Sequence, residues 1–291
     1  MKCSLCPRRC NAQRTEHNNS NGYCKMPMLP IVAKACLHFW EEPIISGKNG
    51  SGTVFFSGCS LNCVYCQNYT LSHEGFGKEI TVERLAEIFK ILEEKGAHNI
   101  NLVSPTHYIY PIKGALKIYK PNIPIVYNSS GYDLVEALRE LEGYVDIYLL
   151  DLKYLSPTPA KLYSNAENYP EIAKKAITET LRQQPNVEIK NGIMQKGVII
   201  RHLILPQGTN EAIAVFDWVK ENAVGAYFSI MSQYVPYGKA VDMPIINRKI
   251  TKREYQKVIN HILDSDFQNV FIQELESADT KFIPDFNLEG L

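Results

Sequence analysis

The spacing of three cysteines constrains this chain more than any other feature. Cys59, Cys63 and Cys66 follow the pattern C-x3-C-x2-C directly after a short apolar run that begins at Thr53. Three thiolates from one loop suit a cubane iron–sulfur cluster, which normally has four cysteine ligands. A cluster held by only three would leave one iron open to a small molecule. The alternatives are three buried thiols packed as small apolar residues and a zinc site completed by His73.

A second group of cysteines lies near the N-terminus. The chain of 291 residues has eight cysteines, and the segment Cys3-x2-Cys6-x3-Cys10-x13-Cys24 contains four of them. Four thiolates in so short a segment fit a closed tetrahedral zinc site or an auxiliary iron–sulfur cluster. Free thiols on a disordered tail are the plainer alternative, and Cys36 is most simply a buried apolar residue. Clustered spacings without an apolar signal region favour metal over disulfide.

Composition and charge exclude several classes of function. The chain has 31 Lys and Arg residues and 31 Asp and Glu residues, so its formal net charge is zero. Strong electrostatic attraction to nucleic acid or to an anionic membrane is therefore not indicated. Because no apolar stretch approaches the ~18 residues needed to span a bilayer, we expect a cytoplasmic protein.

Strand and helix signals alternate after the N-terminal cysteines. Helical periodicity covers residues 82–92, with Thr81 as the predicted N-cap, and residues 134–141, with Asp133 as the predicted N-cap. Another helix is predicted at about 251–264. The predicted strands, rich in β-branched and aromatic residues, are 53–57, 99–103, 123–127, 145–150, 197–204 and 226–231, with one more apolar run at 269–272.

This alternation predicts an α/β fold with a parallel sheet and helices outside it. Six such units are too few for a closed eight-fold barrel, so a partial (β/α)6 barrel and a doubly wound sheet are the candidates. In either architecture, sites gather in loops at the C-terminal ends of the strands. Between the N-terminal cysteines and the first strand lies a junction in which Glu41 and Glu42 are most plainly surface charges, although with His38 they could bind substrate.

The motif C-x3-C-x-aromatic-C, with Tyr65 as the aromatic residue, resembles the radical S-adenosylmethionine (SAM) superfamily. From Cys3 to about Gln273 the chain is similar to a subgroup usually labelled as related to the pyruvate formate-lyase activating enzyme. The stretches that carry this resemblance are Glu41-Glu42-Pro43, Gly50-Ser51-Gly52-Thr53, Phe55-Phe56-Ser57-Gly58-Cys59, Cys66-Gln67-Asn68, Pro105-Thr106-His107-Tyr108, Tyr127-Asn128-Ser129-Ser130-Gly131-Tyr132, Asp151-Leu152-Lys153-Tyr154, Arg201-His202-Leu203-Ile204-Leu205-Pro206 and Gln233-Tyr234-Val235-Pro236.

We therefore expect a partial (β/α)6 TIM-like barrel with a small N-terminal Cys-rich metal-binding extension. Residues 1–52 are predicted to form the extension and junction, and residues 53–291 the barrel with a C-terminal tail.

The resemblance implies a [4Fe–4S] cluster whose irons are held by Cys59, Cys63 and Cys66, while SAM chelates the fourth iron. One electron passed through the cluster would cleave SAM to methionine and a 5′-deoxyadenosyl radical, which takes a hydrogen atom from a substrate. The cluster and SAM would perform the radical chemistry themselves, so no catalytic side chain beyond them is expected. A one-electron reductant such as flavodoxin or ferredoxin would be the electron donor.

Further SAM contacts implied by the resemblance lie at strand ends. Superfamily members commonly have Gly-Gly-Glu-Pro after the second strand, whereas residues 103–107 here are Val-Ser-Pro-Thr-His. Ser104 or Thr106 would then supply an oxygen atom. After the third strand, Asn128 and Ser129 align with positions that bind SAM or an adjacent monovalent cation. The alternative for this second pair is a turn that satisfies its own backbone.

Charged residues follow the later strands. Asp151 and Lys153 match an Asp-Leu-Lys signature of the subgroup, and Lys153 could pair with the SAM carboxylate; a strand-end salt bridge is the alternative. Arg201 begins an apolar strand and, if buried, needs an anionic partner. The SAM carboxylate, the substrate or a structural carboxylate would serve. His107, in a polar loop, is expected to be solvated.

Three functions remain open at this point. The first is an activase that abstracts hydrogen from a glycine backbone of a glycyl-radical enzyme. The second is radical modification of a small molecule, peptide or RNA, and no substrate signature in the sequence separates it from the first. The third is a structural zinc-binding interaction protein, which would leave the Asp-Leu-Lys and strand-end pattern unexplained.

Overall fold

The computed structural model describes residues 2–17, 20–279 and 284–291. The strands are β1 (Ile31–His38), β2 (Ser51–Phe56), β3 (Lys78–Glu79), β4 (Ile100–Val103), β5 (Ile125–Ser129), β6 (Ile147–Asp151), β7 (Glu188–Lys190), β8 (Ile193–Leu203), β9 (Tyr227–Met231) and β10 (Val270–Ile272). The helices are α1 (Pro43–Ser46), α2 (Tyr69–Ser72), α3 (Val82–Glu94), α4 (Ile109–Ile118), α5 (Val135–Arg139), α6 (Pro157–Ser164), α7 (Tyr169–Gln183), α8 (Thr209–Asn222) and α9 (Lys252–Leu263). Within these described ranges, no helix is long and apolar enough to cross a membrane.

The order of the strands decides between the two predicted architectures. Strands β2, β4, β5, β6, β8, β9 and β10 are neighbours in chain order and pair in parallel. A doubly wound sheet would reverse this order at a switch point, and the described strands contain no such reversal. The path of hydrogen-bonded strands ends at β3 on one side and β10 on the other. The sheet is therefore an incompletely closed barrel, and the predicted α/β fold is confirmed.

Strand β1 adds an antiparallel edge to this sheet. It pairs with β2 along most of its length and with β3 at its start. The C-terminal residues lie beside it, where Ala33 O accepts a hydrogen bond from Leu288 N (3.1 Å) and Ala35 N donates to Glu289 O (2.8 Å). Strand β1 belongs to the segment that the sequence assigns to the extension and junction, and the division at residue 52 stays a prediction.

Of the two predicted helix N-caps, one is confirmed and one is wrong. Thr81 caps α3 as predicted, and Thr251 caps α9 in a reciprocal capping box. The predicted N-cap role of Asp133 is wrong, because α5 begins one residue later, after Leu134. The Asp133 carboxylate is buried instead and accepts a hydrogen bond from Tyr127 Oη (2.8 Å).

Apolar side chains fill the end of the barrel at which the parallel strands begin. Ile45 of α1 is fully buried in this end, and its carbonyl accepts a hydrogen bond from Asn99 Nδ2 (2.8 Å). The strand residues that pack around Ile45 are Val126, Ile147, Leu149, Met194 and Ile199. Burying each such aliphatic side chain contributes about 1.5–3 kcal/mol. Helix α1 thus closes this end and leaves the opposite end for a site.

Candidate functional site

The loop between β2 and α2 brings the three predicted cluster ligands together. Cys59, Cys63 and Cys66 line one cavity of about 320 Å3 at the C-terminal ends of the strands, which we call the central cavity. The backbone nitrogens of Leu61 and Asn62 lie 3.3 and 3.5 Å from Cys59 Sγ. Amide N–H groups around a sulfur stabilise its thiolate form. The loop is therefore shaped to hold negative charge on sulfur.

A chain of hydroxyl groups supports the second cysteine. Ser164 Oγ donates to Cys63 Sγ (3.1 Å), Tyr154 Oη lies 3.0 Å from Ser164 Oγ, and Tyr65 Oη lies 2.6 Å from Tyr154 Oη. Burial raises the pKa of Cys63 to about 12 and that of Cys66 to about 11. A coordinated metal deprotonates a thiol outright and would offset this effect.

In the described ranges, neither cysteine group is arranged around a single metal ion. No three His, Cys, Asp or Glu side chains of these residues are placed to hold one metal ion. A cubane binds each thiolate to a different iron, so its cysteines need not converge on one point. His73, the proposed fourth zinc ligand, does not line the central cavity, and its Nδ1 lies 2.8 Å from Ser72 Oγ.

Most of the predicted SAM contacts share the cavity with these cysteines. Thr106 is the exception, since it does not line the cavity and its Oγ1 donates to Asp133 Oδ1 (2.7 Å). Ser129 Oγ also donates to Asp133, at 2.5 Å. The predicted contacts that line the central cavity are Ser104, Asn128, Ser129, Asp151, Lys153 and Arg201.

An ion network fixes the polar wall of the central cavity. Arg201 Nε lies 2.9 Å from Asp151 Oδ1, its Nη1 lies 3.0 Å from Glu41 Oε2, and its Nη2 donates to Asn128 Oδ1 (2.7 Å). Lys153 Nζ lies 2.6 Å from Asp151 Oδ2. Although burial would raise the pKa of Asp151, Lys153 and Arg201 together hold it below its usual value. Buried charges paired in this way keep fixed positions.

The sequence interpretation favoured a surface position for two carboxylates that lie in this wall, and substrate binding was its alternative. Glu42 is 8% exposed, and the Glu41 side chain is 10% exposed, so neither is the surface charge that the sequence favoured. Both line the central cavity, because Pro43 starts α1 directly after them and turns the chain into the barrel. A Glu-Glu-Pro sequence just after a strand is the only local signal for this placement.

The four N-terminal cysteines lie within electrostatic range of one another. Burial, and to a smaller extent the thiolates of Cys24, Cys3 and Cys10, raises the pKa of Cys6 to about 12. Cys3 N donates to Ala12 O (2.9 Å), which folds the segment back on itself. The metal at this group, zinc or iron–sulfur, stays a prediction.

One arginine connects the N-terminal group to the cluster loop. Arg8, between the second and third N-terminal cysteines, donates from Nε to Ser60 O (2.8 Å) and from Nη2 to Leu61 O (3.2 Å). On the other side it donates to Ser164 O (3.0 Å) and to Asn165 O (2.5 Å). Through these hydrogen bonds, the Arg8 guanidinium connects the N-terminal extension to the loop that contains Cys59, Cys63 and Cys66 and to the end of α6.

Comparison with known protein families identifies the class of protein. Residues 53–218 match the radical SAM superfamily, and the chain belongs to that superfamily. Among curated proteins, it is 32% identical over 266 residues to an uncharacterised protein of Methanocaldococcus jannaschii, covering 88% of this chain and 73% of the relative. It is 25% identical over 173 residues to the pyruvate formate-lyase-activating enzyme of Clostridium pasteurianum, covering 57% of this chain and 67% of that enzyme. The predicted family resemblance is confirmed.

Solved structures share the fold. The crystal structure of SuiB from Streptococcus suis superimposes with a TM-score of 0.53 at 16% identity and covers 78% of this chain. A structure of SuiB bound to SAM gives a TM-score of 0.54 at 16% identity and covers 76% of this chain. In both comparisons the chain spans 50% of the length of SuiB. At this identity the likeness shows the fold alone.

Proposed function

We propose that this radical SAM enzyme binds a [4Fe–4S] cluster through Cys59, Cys63 and Cys66 and uses it to cleave SAM reductively. The observation that carries the proposal is that these three thiols line one cavity with polar side chains from several strand ends. No fourth cysteine of the described residues lines that cavity, so the donor set fits a cluster with one open iron. When bound, the cluster and SAM supply the radical that takes hydrogen from a substrate.

The polar wall would bind and orient SAM. Lys153 has three N–H donors and uses one of them on Asp151, so the others are available for the SAM carboxylate. Asn128, Ser129 and Ser104 offer oxygen atoms for its ammonium group. Arg201 holds Asp151 and Asn128 in place, and we assign it a positioning role.

Two kinds of substrate are consistent with this chemistry. An activase that acts on a glycyl-radical enzyme is supported by the relationship to the pyruvate formate-lyase-activating enzyme. Direct modification of a small molecule or peptide is favoured by one observation, the two buried carboxylates Glu41 and Glu42 in the cavity wall. A glycine backbone carries no charge that would need them. In either case, flavodoxin or ferredoxin would donate the electron.

Anaerobic reconstitution tests the proposal. We expect a brown protein with about four irons at the three-cysteine site, which converts SAM to 5′-deoxyadenosine in the presence of dithionite. A reconstituted protein that binds no iron at this site, or that leaves SAM intact, would contradict it. Transfer of deuterium from a labelled glycyl-radical enzyme or a labelled small molecule into 5′-deoxyadenosine would separate the two kinds of substrate.

A further inference from the structure

Glu42 is the charged group of the central cavity that SAM cleavage does not require. Its side chain is more than nine-tenths buried, and it lines the cavity. Ser229 hydrogen-bonds to the carboxyl group, but Oε2 has no hydrogen-bond partner in the described structure. A buried acceptor without a partner costs about 1–3 kcal/mol. Such a group in a cavity wall points to a ligand that completes it.

A second buried acceptor without a partner among the described residues belongs to a side chain that contacts Glu41. Asn101 Nδ2 donates to Glu41 Oε1 (3.1 Å), which fixes the amide orientation and makes the other atom the acceptor. That atom, Asn101 Oδ1, is buried and also has no partner in the described structure. Two buried oxygen atoms, Glu42 Oε2 and Asn101 Oδ1, thus lack a donor among the described residues.

The charges in the cavity wall are also unequal. Among residues 2–17, 20–279 and 284–291, the acidic, basic and histidine side chains that line the central cavity are Glu41, Glu42, Asp151, Lys153, Arg201 and His38. Burial lowers the pKa of His38 to about 4, so this residue is neutral near pH 7. When Glu42 is ionised, the carboxylates among these described side chains outnumber the cations by one. An oxidised cubane with three thiolates carries net negative charge, which offsets the net positive charge of SAM and leaves the surplus carboxylate unmatched.

We propose that Glu42 binds an organic cation, an alkylammonium or guanidinium group, on the substrate of this enzyme. The inference rests on the proposed function and names its substrate class. An ammonium group has three N–H donors and a guanidinium has five, so either can satisfy Glu42 Oε2 and neutralise the surplus charge. Burial raises the pKa of Glu42, and a cation beside it would lower that pKa again.

The test measures binding of agmatine, which carries both an ammonium and a guanidinium group, to the reconstituted protein by anaerobic calorimetry. Titrations are made with and without SAM, and 1,4-butanediol is the neutral control. We expect saturable binding of agmatine and none of butanediol. Glu42→Gln should weaken agmatine binding about tenfold or more, since a charge-assisted hydrogen bond is lost. Glu221→Gln, at an exposed position near the end of α8, should bind agmatine like the wild type.

Three results would overturn the inference while the proposed function stands. The first is a wild-type protein that binds and cleaves SAM but shows no saturable binding of agmatine or of a capped Gly-Arg-Gly peptide. The second is equal agmatine affinity in Glu42→Gln and wild type. The third is a parallel loss of SAM affinity in Glu42→Gln, which would assign the carboxylate to the cofactor. A wild-type protein that binds agmatine but neither binds nor cleaves SAM would instead contradict the proposed function.

Two additions keep the test decisive. If Glu42→Gln fails to bind its cluster, Glu42→Asp, which keeps the charge on a shorter side chain, should bind agmatine more weakly than wild type, and equal affinity would overturn the inference. A capped Gly-Arg-Gly peptide is titrated beside agmatine. Saturable binding of either ligand supports the cation class, and the tighter ligand indicates whether the cation belongs to a peptide or to a free amine.

Discussion

The two cysteine groups of this chain differ in how the fold holds them. The three-cysteine loop follows β2 and is supported by barrel side chains, as in the hydrogen bond from Ser164 to Cys63. The four N-terminal cysteines lie in a segment whose described part contains no helix or named strand before β1. Its backbone order comes from a few hydrogen bonds and an isolated bridge between Lys2 and Gln13.

The barrel fold therefore positions the three-cysteine loop. The N-terminal segment would instead have to be ordered in part by its own metal. The N-terminal segment reaches the barrel through arginines as well as through any metal. Besides Arg8, Arg14 donates from Nη1 to His107 O (2.6 Å) and from Nε to Met26 O (3.1 Å). Four ligands close a metal site, whereas three leave a position open for chemistry. We therefore predict a structural role for the four N-terminal cysteines and a role in the reaction for the three-cysteine loop.

The largest effect is expected from Cys63→Ala, which removes a predicted ligand of the three-cysteine site. Two remaining thiolates do not hold a cubane, so the barrel should lose its iron. Reductive SAM cleavage should fall on the order of a thousandfold or more, to background. Iron analysis and the yield of 5′-deoxyadenosine measure both effects.

Cys36→Ala is the matched control for this variant. Cys36 lies in β1 opposite Thr53 and does not line the central cavity. The Cys36→Ala variant should keep the iron content and the SAM cleavage of the wild type. Full cluster content in Cys63→Ala would show that the ligand assignment is wrong.

The double variant Cys3→Ala/Cys6→Ala should damage the closed site alone. We expect loss of the N-terminal metal and a stability lower by several kcal/mol, since binding of a structural zinc contributes up to about 10–16 kcal/mol to folding. Loss of zinc with iron unchanged would identify zinc, and loss of part of the iron would identify a second cluster. The barrel should retain its own cluster, although chelators should remove it faster. Complete loss of iron together with SAM cleavage would show that the two sites are not independent.

The barrel was largely predictable because its strands are buried on both faces. Each apolar run predicted as a strand is one, and the run at 145–150 differs from β6 (Ile147–Asp151) by only one or two residues at its ends. Continuous apolar runs of this kind are typical of parallel strands covered by helices. The N-cap Thr81 was also predictable, because capping depends only on residues within one helical turn.

The polar interior could not be predicted in the same way. His107 is fully buried and neutral rather than solvated, because its Nε2 lies 2.7 Å from Ser57 O and burial lowers its pKa to about 3. The Asp133 carboxylate accepts hydrogen bonds from the hydroxyls of Ser129 and Thr106 instead of capping a helix. A sequence pattern reports which face of an element is buried, but not which distant group satisfies a polar side chain there.

Arg8→Ala tests how far the two cysteine groups are coupled. The substitution removes donors to the carbonyls of Ser60, Leu61, Ser164 and Asn165. Because Arg8 is only partly buried, we expect the free energy of unfolding to fall by about 2 kcal/mol, less than the sum of its hydrogen bonds. Chelators should also remove the barrel cluster faster. Chemical denaturation and the rate of iron release measure these changes.

The neighbouring residue supplies the control for this coupling. Arg9 has the same charge but is exposed, so Arg9→Ala should change the free energy of unfolding by less than about 0.5 kcal/mol. Equal effects of the two substitutions would mean that net charge, rather than the hydrogen bonds of Arg8, stabilises the segment.

The smallest effect is expected from Ser164→Ala, which changes only the support that the barrel gives to Cys63. The hydroxyl of Ser164 donates to Cys63 Sγ (3.1 Å), and hydrogen bonds to cluster sulfurs stabilise the more electron-rich reduced state. Loss of about 1 kcal/mol of such stabilisation should lower the reduction potential by about 40 mV. Ser164→Thr keeps a hydroxyl and should restore most of the potential. If a redox titration followed by electron paramagnetic resonance gives the same potential for Ser164→Ala and wild type, the barrel does not tune the three-cysteine site through this residue.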